Sequence, residues 1–146
     1  MAALTHLYAT FKPTHYAVFL DIDRGAKTIK GRPTISGVAA TAAIAVHQQY
    51  LHIDTVTSAD QPVPFVVDDA NEMVHLTLAQ AGEVEVTIAY HAALTDTMMG
   101  IYPSYYTLAG QRKQIIGTQF ETTAARQAFP CVDEPEAKAT FDLAVR

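Results

Sequence analysis

The sequence predicts an all-β fold: a β-sandwich, or a twisted, saddle-shaped pair of sheets. Three observations carry that expectation. Short runs rich in Val, Ile, Phe, Tyr and Thr recur through most of the chain ahead of residue 110, separated by turn-forming clusters. Within several runs apolar and polar side chains alternate with a period of two, as a half-buried strand requires. Nothing ahead of about residue 120 keeps the 3.6-residue apolar period of a helix.

In chain order, the first strand is expected over residues 16–23, where Leu20 and Ile22 alternate with Phe19, Asp21 and Asp23. Arg24-Gly25-Ala26-Lys27 has the composition of a hairpin turn. Residues 28–37 return as a strand. Pro33, which has no N–H to give to a ladder, marks an edge position or a bulge there. An apolar run at 42–46 follows, then residues 51–57, with Leu51, Ile53 and Val56 facing inward. Further strands are expected at 62–67, 73–78 and 83–90. The last has the cleanest pattern, with Val84, Val86 and Ile88 dry and Glu83, Glu85 and Thr87 wet. Asp68-Asp69-Ala70-Asn71 and Ala81-Gly82 supply turns. At most one short helical turn is expected, near 122–127, capped by Thr122 or Thr123. A final strand is expected over 141–145.

The 146 residues suffice for one domain with a real core, spanning 1–146. Apolar content of 49% and charged content of 17% fit an ordinary globular chain. A net charge of −5 argues against nucleic acid or an anionic membrane surface as the main partner. Cys131 is the single cysteine, so an internal disulfide framework is excluded. The N-terminal residues do not have the basic and apolar regions of a signal peptide, and no apolar run is long enough to span a bilayer. The expected location is cytoplasmic.

A search for chemistry finds little in the isolated residue types. The six histidines, His6, His15, His47, His52, His75 and His91, never form His-Glu-x-x-His, the helical pattern in which two histidines hold zinc beside a general base. Each reads as a surface or sheet side chain, and no metal site is expected. A serine-nucleophile elbow, a P-loop and a dinucleotide fingerprint are all missing from the string. Cys131, between Pro130 and Val132 with no adjacent base, reads as a buried structural thiol. Tyr102, Tyr105 and Tyr106 form an aromatic cluster that suits sheet packing, or else a carbohydrate or protein contact.

The densest information lies in residues 117–146, which contain Thr-Gln-Phe-Glu at 118–121, Ala125-Arg126, Phe129-Pro130-Cys131 and Asp133-Glu134-Pro135. In an extended segment Gln119 and Glu121 point to one side, so a short peptide presents an amide and a carboxylate together. The fixed fork of Arg126 suits a clamp on Asp133 or Glu134. This ordered combination closely resembles a signature of the zinc aminopeptidases of the aminopeptidase N type, members of the gluzincin metallopeptidase family. The stretch Gly100-Ile101-Tyr102-Pro103-Ser104 resembles a segment that precedes the signature in that family. Ala124 and Gln127 depart from its common Asp and Arg.

The resemblance implies the saddle form of the sandwich and the N-terminal domain of a longer, multidomain enzyme. It implies that Glu121 binds the free amine of a peptide substrate, with a second glutamate from a Gly-x-Met-Glu-Asn segment of the catalytic domain. Gln119 would border the pocket for the first side chain. Zinc would belong to the full-length enzyme and not to these residues, which are expected to hydrolyse nothing alone. The partners would be peptides with a free N-terminus and the enzyme's own catalytic domain. Other readings are a non-catalytic scaffold of the same family, an unrelated β-sandwich binding module, and the epoxide-hydrolysing branch, against which Glu121 counts.

Overall fold

β-Branched and aromatic residues pack well across a pleated surface. The chain follows that preference in the computed structural model, which describes residues 6–146. The expectation about the N-terminal leader falls partly on residues 1–5 and so lies outside the described residues. The strands are β1 Phe11–Asp23, β2 Thr28–Gly31, β3 Thr34–Ala39, β4 Ala43–His47, β5 His52–Ser58, β6 Gln61–Pro62, β7 Phe65–Asp68, β8 Met73–Thr77, β9 Gly82–Ala93, β10 Gly100–Leu108, β11 Gln111–Gln119 and β12 Thr140–Val145.

A seven-stranded sheet runs in the order β12-β1-β2-β9-β5-β6, with β3 also lying between β1 and β9. A three-stranded sheet runs β4-β8-β7, and β10 with β11 makes a separate ribbon. The all-β sandwich expected from the alternation is therefore present, with this ribbon added to its two sheets. Ile44, Val46, Val74 and Leu76 of the smaller sheet share one buried cluster with Phe11, Tyr16, Ile35 and Ile88 of the larger. The expected alternation of β9 holds, since Glu83 and Glu85 are exposed while Val86 and Ile88 are buried.

Residues 28–37 form two collinear strands. β2 pairs with β1 at Leu20–Asp23, and β3 pairs with β1 at Phe11–Ala17. β9 runs along the other side of both. Pro33 therefore interrupts a central strand instead of lying at an edge, and it is fully buried. The break is tolerated because its polar groups find partners on both sides. Arg32 N–H donates to the Phe19 carbonyl at 2.9 Å, and the Pro33 carbonyl accepts from Ile88 N–H at 3.0 Å. The expected strand at 62–67 also splits. Its first part, β6, stays in the larger sheet, and its second, β7, joins the smaller one.

Single 3-10 turns occupy Leu7–Ala9, Asp69–Asn71 and Ala125–Gln127. The last is the helical turn expected near 122–127, but neither Thr122 nor Thr123 caps it. Its N-cap is Ala124, which has no side-chain cap. Backbone bonds hold the turn instead, with Ala124 N–H donating to the Phe120 carbonyl at 2.9 Å and Gln127 N–H to the Ala124 carbonyl at 3.1 Å.

Candidate functional site

The ribbon positions the site. β10 and β11 pair in unbroken register from Gly100↔Gln119 to Leu108↔Gln111. Alternation places Gly100, Tyr102, Ser104 and Tyr106 of β10 on the same face as Gln119, Gly117, Ile115 and Lys113 of β11. The Tyr102 ring lies over Gly117, 3.4 Å from where a Cβ would sit, so an aromatic covers the bare backbone. Tyr105 and Tyr106 are exposed and not packed in a sheet core. On the opposite face the Arg112 guanidinium stacks 3.9 Å from the Tyr105 ring centroid.

β11 ends at Gln119, and Phe120 turns the chain inward. Its ring meets Phe129 edge-on with centroids 6.1 Å apart, and Phe129 in turn packs against Tyr16 and Phe141. With Phe120 anchored, its neighbours Gln119 and Glu121 are both exposed. The structure brings the two together: the Gln119 Oε1 accepts from the Glu121 N–H at 3.2 Å. The peptide bond between Glu121 and Thr122 is cis. Among the described residues, no Lys, Arg or His forms an ion pair with the Glu121 carboxylate.

The other signature residues bind the ribbon's far end to the sandwich. Arg126 Nε donates to Asp133 Oδ2 at 3.0 Å, which fulfils one of its two expected clamps. Its Nη1 donates to Glu72 Oε2 at 2.9 Å. Glu72 gives no local signal in the sequence, because β8 brings it near from 54 positions away. Glu134 is not a partner of Arg126. Its two oxygens accept the Leu7 and Tyr8 N–H groups at 3.0 and 2.8 Å, satisfying donors of the first 3-10 turn. Tyr16 Oη accepts the Val132 N–H at 3.0 Å, and Tyr90 Oη donates to the Ala128 carbonyl. Cys131 is buried, as expected, and burial pushes its thiol well above the ordinary range. It is therefore held as a thiol and not as a nucleophilic thiolate.

One carboxylate and one amide, with no histidine joining them, do not fit a zinc ion. The end of β11 is therefore given no metal-dependent step. What it can do is offer a preorganised anion and a fixed amide oxygen to a cation approaching along the Gln119 face. Elsewhere the fold gathers His52, Asp54 and His91, whose sequence spacing shows no ligand pattern.

A family model described as "Peptidase M1 N-terminal domain" matches residues 12–146. Aminopeptidase N of Lactobacillus delbrueckii subsp. lactis is 51% identical over 144 residues, covering 99% of this chain and 17% of that relative. Aminopeptidase N of Lactococcus lactis subsp. lactis (strain IL1403) is 49% identical over the same shares. Endoplasmic reticulum aminopeptidase 1 of Mus musculus is 34% identical over 149 residues, covering 92% of this chain and 16% of that relative. The chain thus spans about a sixth of the length of the curated relatives it matches.

Proposed function

The chain belongs to the family of peptidase M1 N-terminal domains, and from that premise we propose that it anchors the free N-terminus of peptide substrates for a zinc-dependent aminopeptidase. In this reading Glu121 receives the substrate's α-ammonium group, and Gln119 walls the pocket for the first side chain. The observation that carries it is the division of labour among the signature's acids. Asp133 is consumed by Arg126, and Glu134 by the Leu7 and Tyr8 N–H groups. Glu136 faces His6 at 3.9 Å. Glu121 alone combines exposure, no ion-pair partner among the described residues, and a backbone held by Phe120 packing and the Gln119 amide.

An aminopeptidase must distinguish an amine from an internal amide, and a charge-assisted hydrogen bond does so through a cation only the chain end carries. Such a bond contributes about 1.5–3 kcal/mol. Glu121→Gln in the whole protein is therefore expected to lower kcat/KM on peptides by about ten- to a hundredfold, with the melting temperature unchanged. Unaltered kinetics in that variant would remove the anchoring role. Gln119→Ala should shift the preference among first residues more than it lowers the overall rate.

The enzyme's own catalytic domain is the proposed partner. The Gln119 face of the ribbon carries Tyr106 and Ile115, which are 49% and 56% exposed. A cytoplasmic location is also proposed, in keeping with a free buried thiol at Cys131.

A further inference from the structure

The outer face of the larger sheet carries a polar row in direct register. Asp21 of β1 stands opposite Lys30 of β2, Lys30 opposite His91 of β9, and His91 opposite His52 of β5. The β5–β9 ladder then shifts between Ile53 and Thr55. Asp54 is the extra residue of this bulge, and Asp54 and Thr55 are both exposed where strict alternation would turn one inward. Alternation puts Asp54 on the face of His52, and the bulge leaves it without a cross-strand partner of its own, beside the histidine pair. Asp54 Oδ1 lies 3.2 Å from His52 Nδ1 and 2.9 Å from His91 Nδ1. The imidazole rings stack with centroids 4.5 Å apart.

We propose that His52, Asp54 and His91 form a surface binding site for a divalent transition-metal ion of zinc's class. Two imidazole nitrogens and one carboxylate oxygen would be the protein's ligands, with the remaining positions left to water. Imidazole and carboxylate donors suit zinc and its neighbours, and three protein ligands plus an open position are an ordinary set for that ion. All three ligand atoms lie within 4.8 Å of one another. Bonds of about 2.0–2.2 Å in a tetrahedral site put ligand atoms about 3.4 Å apart, so the two carboxylate–imidazole separations, 3.2 and 2.9 Å, need to open by only a few tenths of an ångström. His91 Nδ1 already hydrogen-bonds Asp54 Oδ2 at 2.9 Å, and His52 Nδ1 lies 3.2 Å from Oδ1, so the ion would take the place of contacts made by the same atoms.

The neighbours set the strength of the site. Lys30 adjoins His91 in the row and opposes a dication. Its charge is partly answered by Asp21, which Arg146 also holds at 2.6 Å. Asp54 and His91 line an open concavity of about 660 Å³ with Phe19, Asp21 and Lys30, so water reaches the ion freely. The alternative cluster of His6, Glu134 and Glu136 is weaker, because both Glu134 oxygens are already used by backbone N–H groups.

The test is equilibrium dialysis of the whole protein against micromolar Zn²⁺, with bound metal counted by elemental analysis. His52→Gln, Asp54→Asn and His91→Gln are compared with the unaltered protein, so that metal held elsewhere cancels. All three positions are exposed, so folding is retained, and a melting curve checks it. The expected result is one equivalent fewer in each variant, or at least about a tenfold weaker affinity for that equivalent, since even residues that only support a ligand are worth 10–100-fold. His75→Gln, which removes an exposed histidine with the single carboxylate partner Asp68, should leave the count unchanged. Equal metal content in all four variants and the parent would overturn the site. An equal loss in His75→Gln would also overturn it, by showing that any surface histidine suffices.

Discussion

His47 ends β4 against the loop that follows Phe129. Its backbone exchanges two hydrogen bonds with Cys131, at 2.7 and 3.1 Å, and its Nδ1 accepts the Asp133 N–H at 3.0 Å. A nitrogen that accepts must be unprotonated, and the residue is only 7% exposed. Burial, and then the charge of Arg126, lowers its pKa below the ordinary 6.5, against the opposing pull of Glu134, Asp133 and Glu72. The unfolded chain therefore takes up this proton first as pH falls. The stabilisation is complete above about 6.5 and is lost progressively as pH falls toward the folded-state value. Melting temperatures recorded between about pH 7.5 and 5 should fall more steeply for the parent than for His47→Gln, whose amide oxygen can still accept the Asp133 N–H. Parallel profiles would assign the acid sensitivity to other groups. Arg126 shows what the sequence reveals at this scale and what it hides. The clamp on Asp133 lies seven positions away and is readable from residue chemistry. The second carboxylate, Glu72, comes from the turn between β7 and β8, 54 positions away, and has no local signature.

Among the elements, the interrupted strand β2–β3 depends most on residue size. Gly37 of β3 faces Pro13 of β1 beside a register shift in that ladder. A Cβ there would lie 2.5 Å from the Lys12 carbonyl oxygen and 2.8 Å from the Phe11 ring and the Pro13 Cα. Backbone cannot rotate out of the way as a side-chain tip can. Gly37→Ala should therefore cost about 1–3 kcal/mol, the usual range for overpacking, read as a lower urea midpoint at unchanged m-value. A stability change under about 0.5 kcal/mol would mean that β1 moves freely at its bulge. The same region marks the limit of reading strands from sequence. Alternation located β9 and the end of β1 because each presents one wet and one dry face to its surroundings. It places Pro33 at an edge or a bulge, and the structure has neither there: the strand is central, and its register against β1 and β9 is unbroken across the proline. A proline's missing donor can be accommodated in a central strand when both neighbours supply the other bonds. The two-sheet crossing at Val63-Pro64 and the ribbon β10–β11 are not legible in the alternation. Neither has a dry face of its own: the ribbon is exposed along most of its length, so burial imposes no period on it. The site was legible to the extent that strand geometry brings Gln119 beside Glu121. That Phe120 is the inward anchor holding both in place emerges only when Phe129, Tyr16 and Phe141 are seen together.

At the scale of the whole molecule the core does not close at one edge. β12 pairs in parallel with β1, so that Phe141, Leu143 and Val145 stand beside Tyr16, Val18 and Leu20. Paired positions share a face, and Tyr16, Val18 and Leu20 are all buried. The inner face of the larger sheet therefore continues onto β12, yet there Phe141, Leu143 and Val145 are 56%, 66% and 58% exposed. The Phe141 ring, stacked on Tyr16 at 4.9 Å, marks the point where covered core becomes uncovered core. A row of aliphatic side chains on an edge strand invites pairing or burial. The curated relatives run about six times the length of this chain, so in them polypeptide beyond the matched region is available for such a cover. The ribbon face that carries Gln119 points to the same need, since Tyr106, Leu108 and Ile115 on it are all exposed. If the rest of the protein packs against β12, Leu143 is buried in the whole molecule. Burying a leucine fully contributes about 1.5–3 kcal/mol, and a carboxylate in its place would add a desolvation cost. Leu143→Asp in the whole protein should then lower stability by at least about 2 kcal/mol, measured by denaturant unfolding, and should raise amide hydrogen exchange along β12 and β1. A change within about 0.5 kcal/mol, the ordinary range for a surface position, would show instead that this edge faces solvent throughout and that the cover lies only over the ribbon.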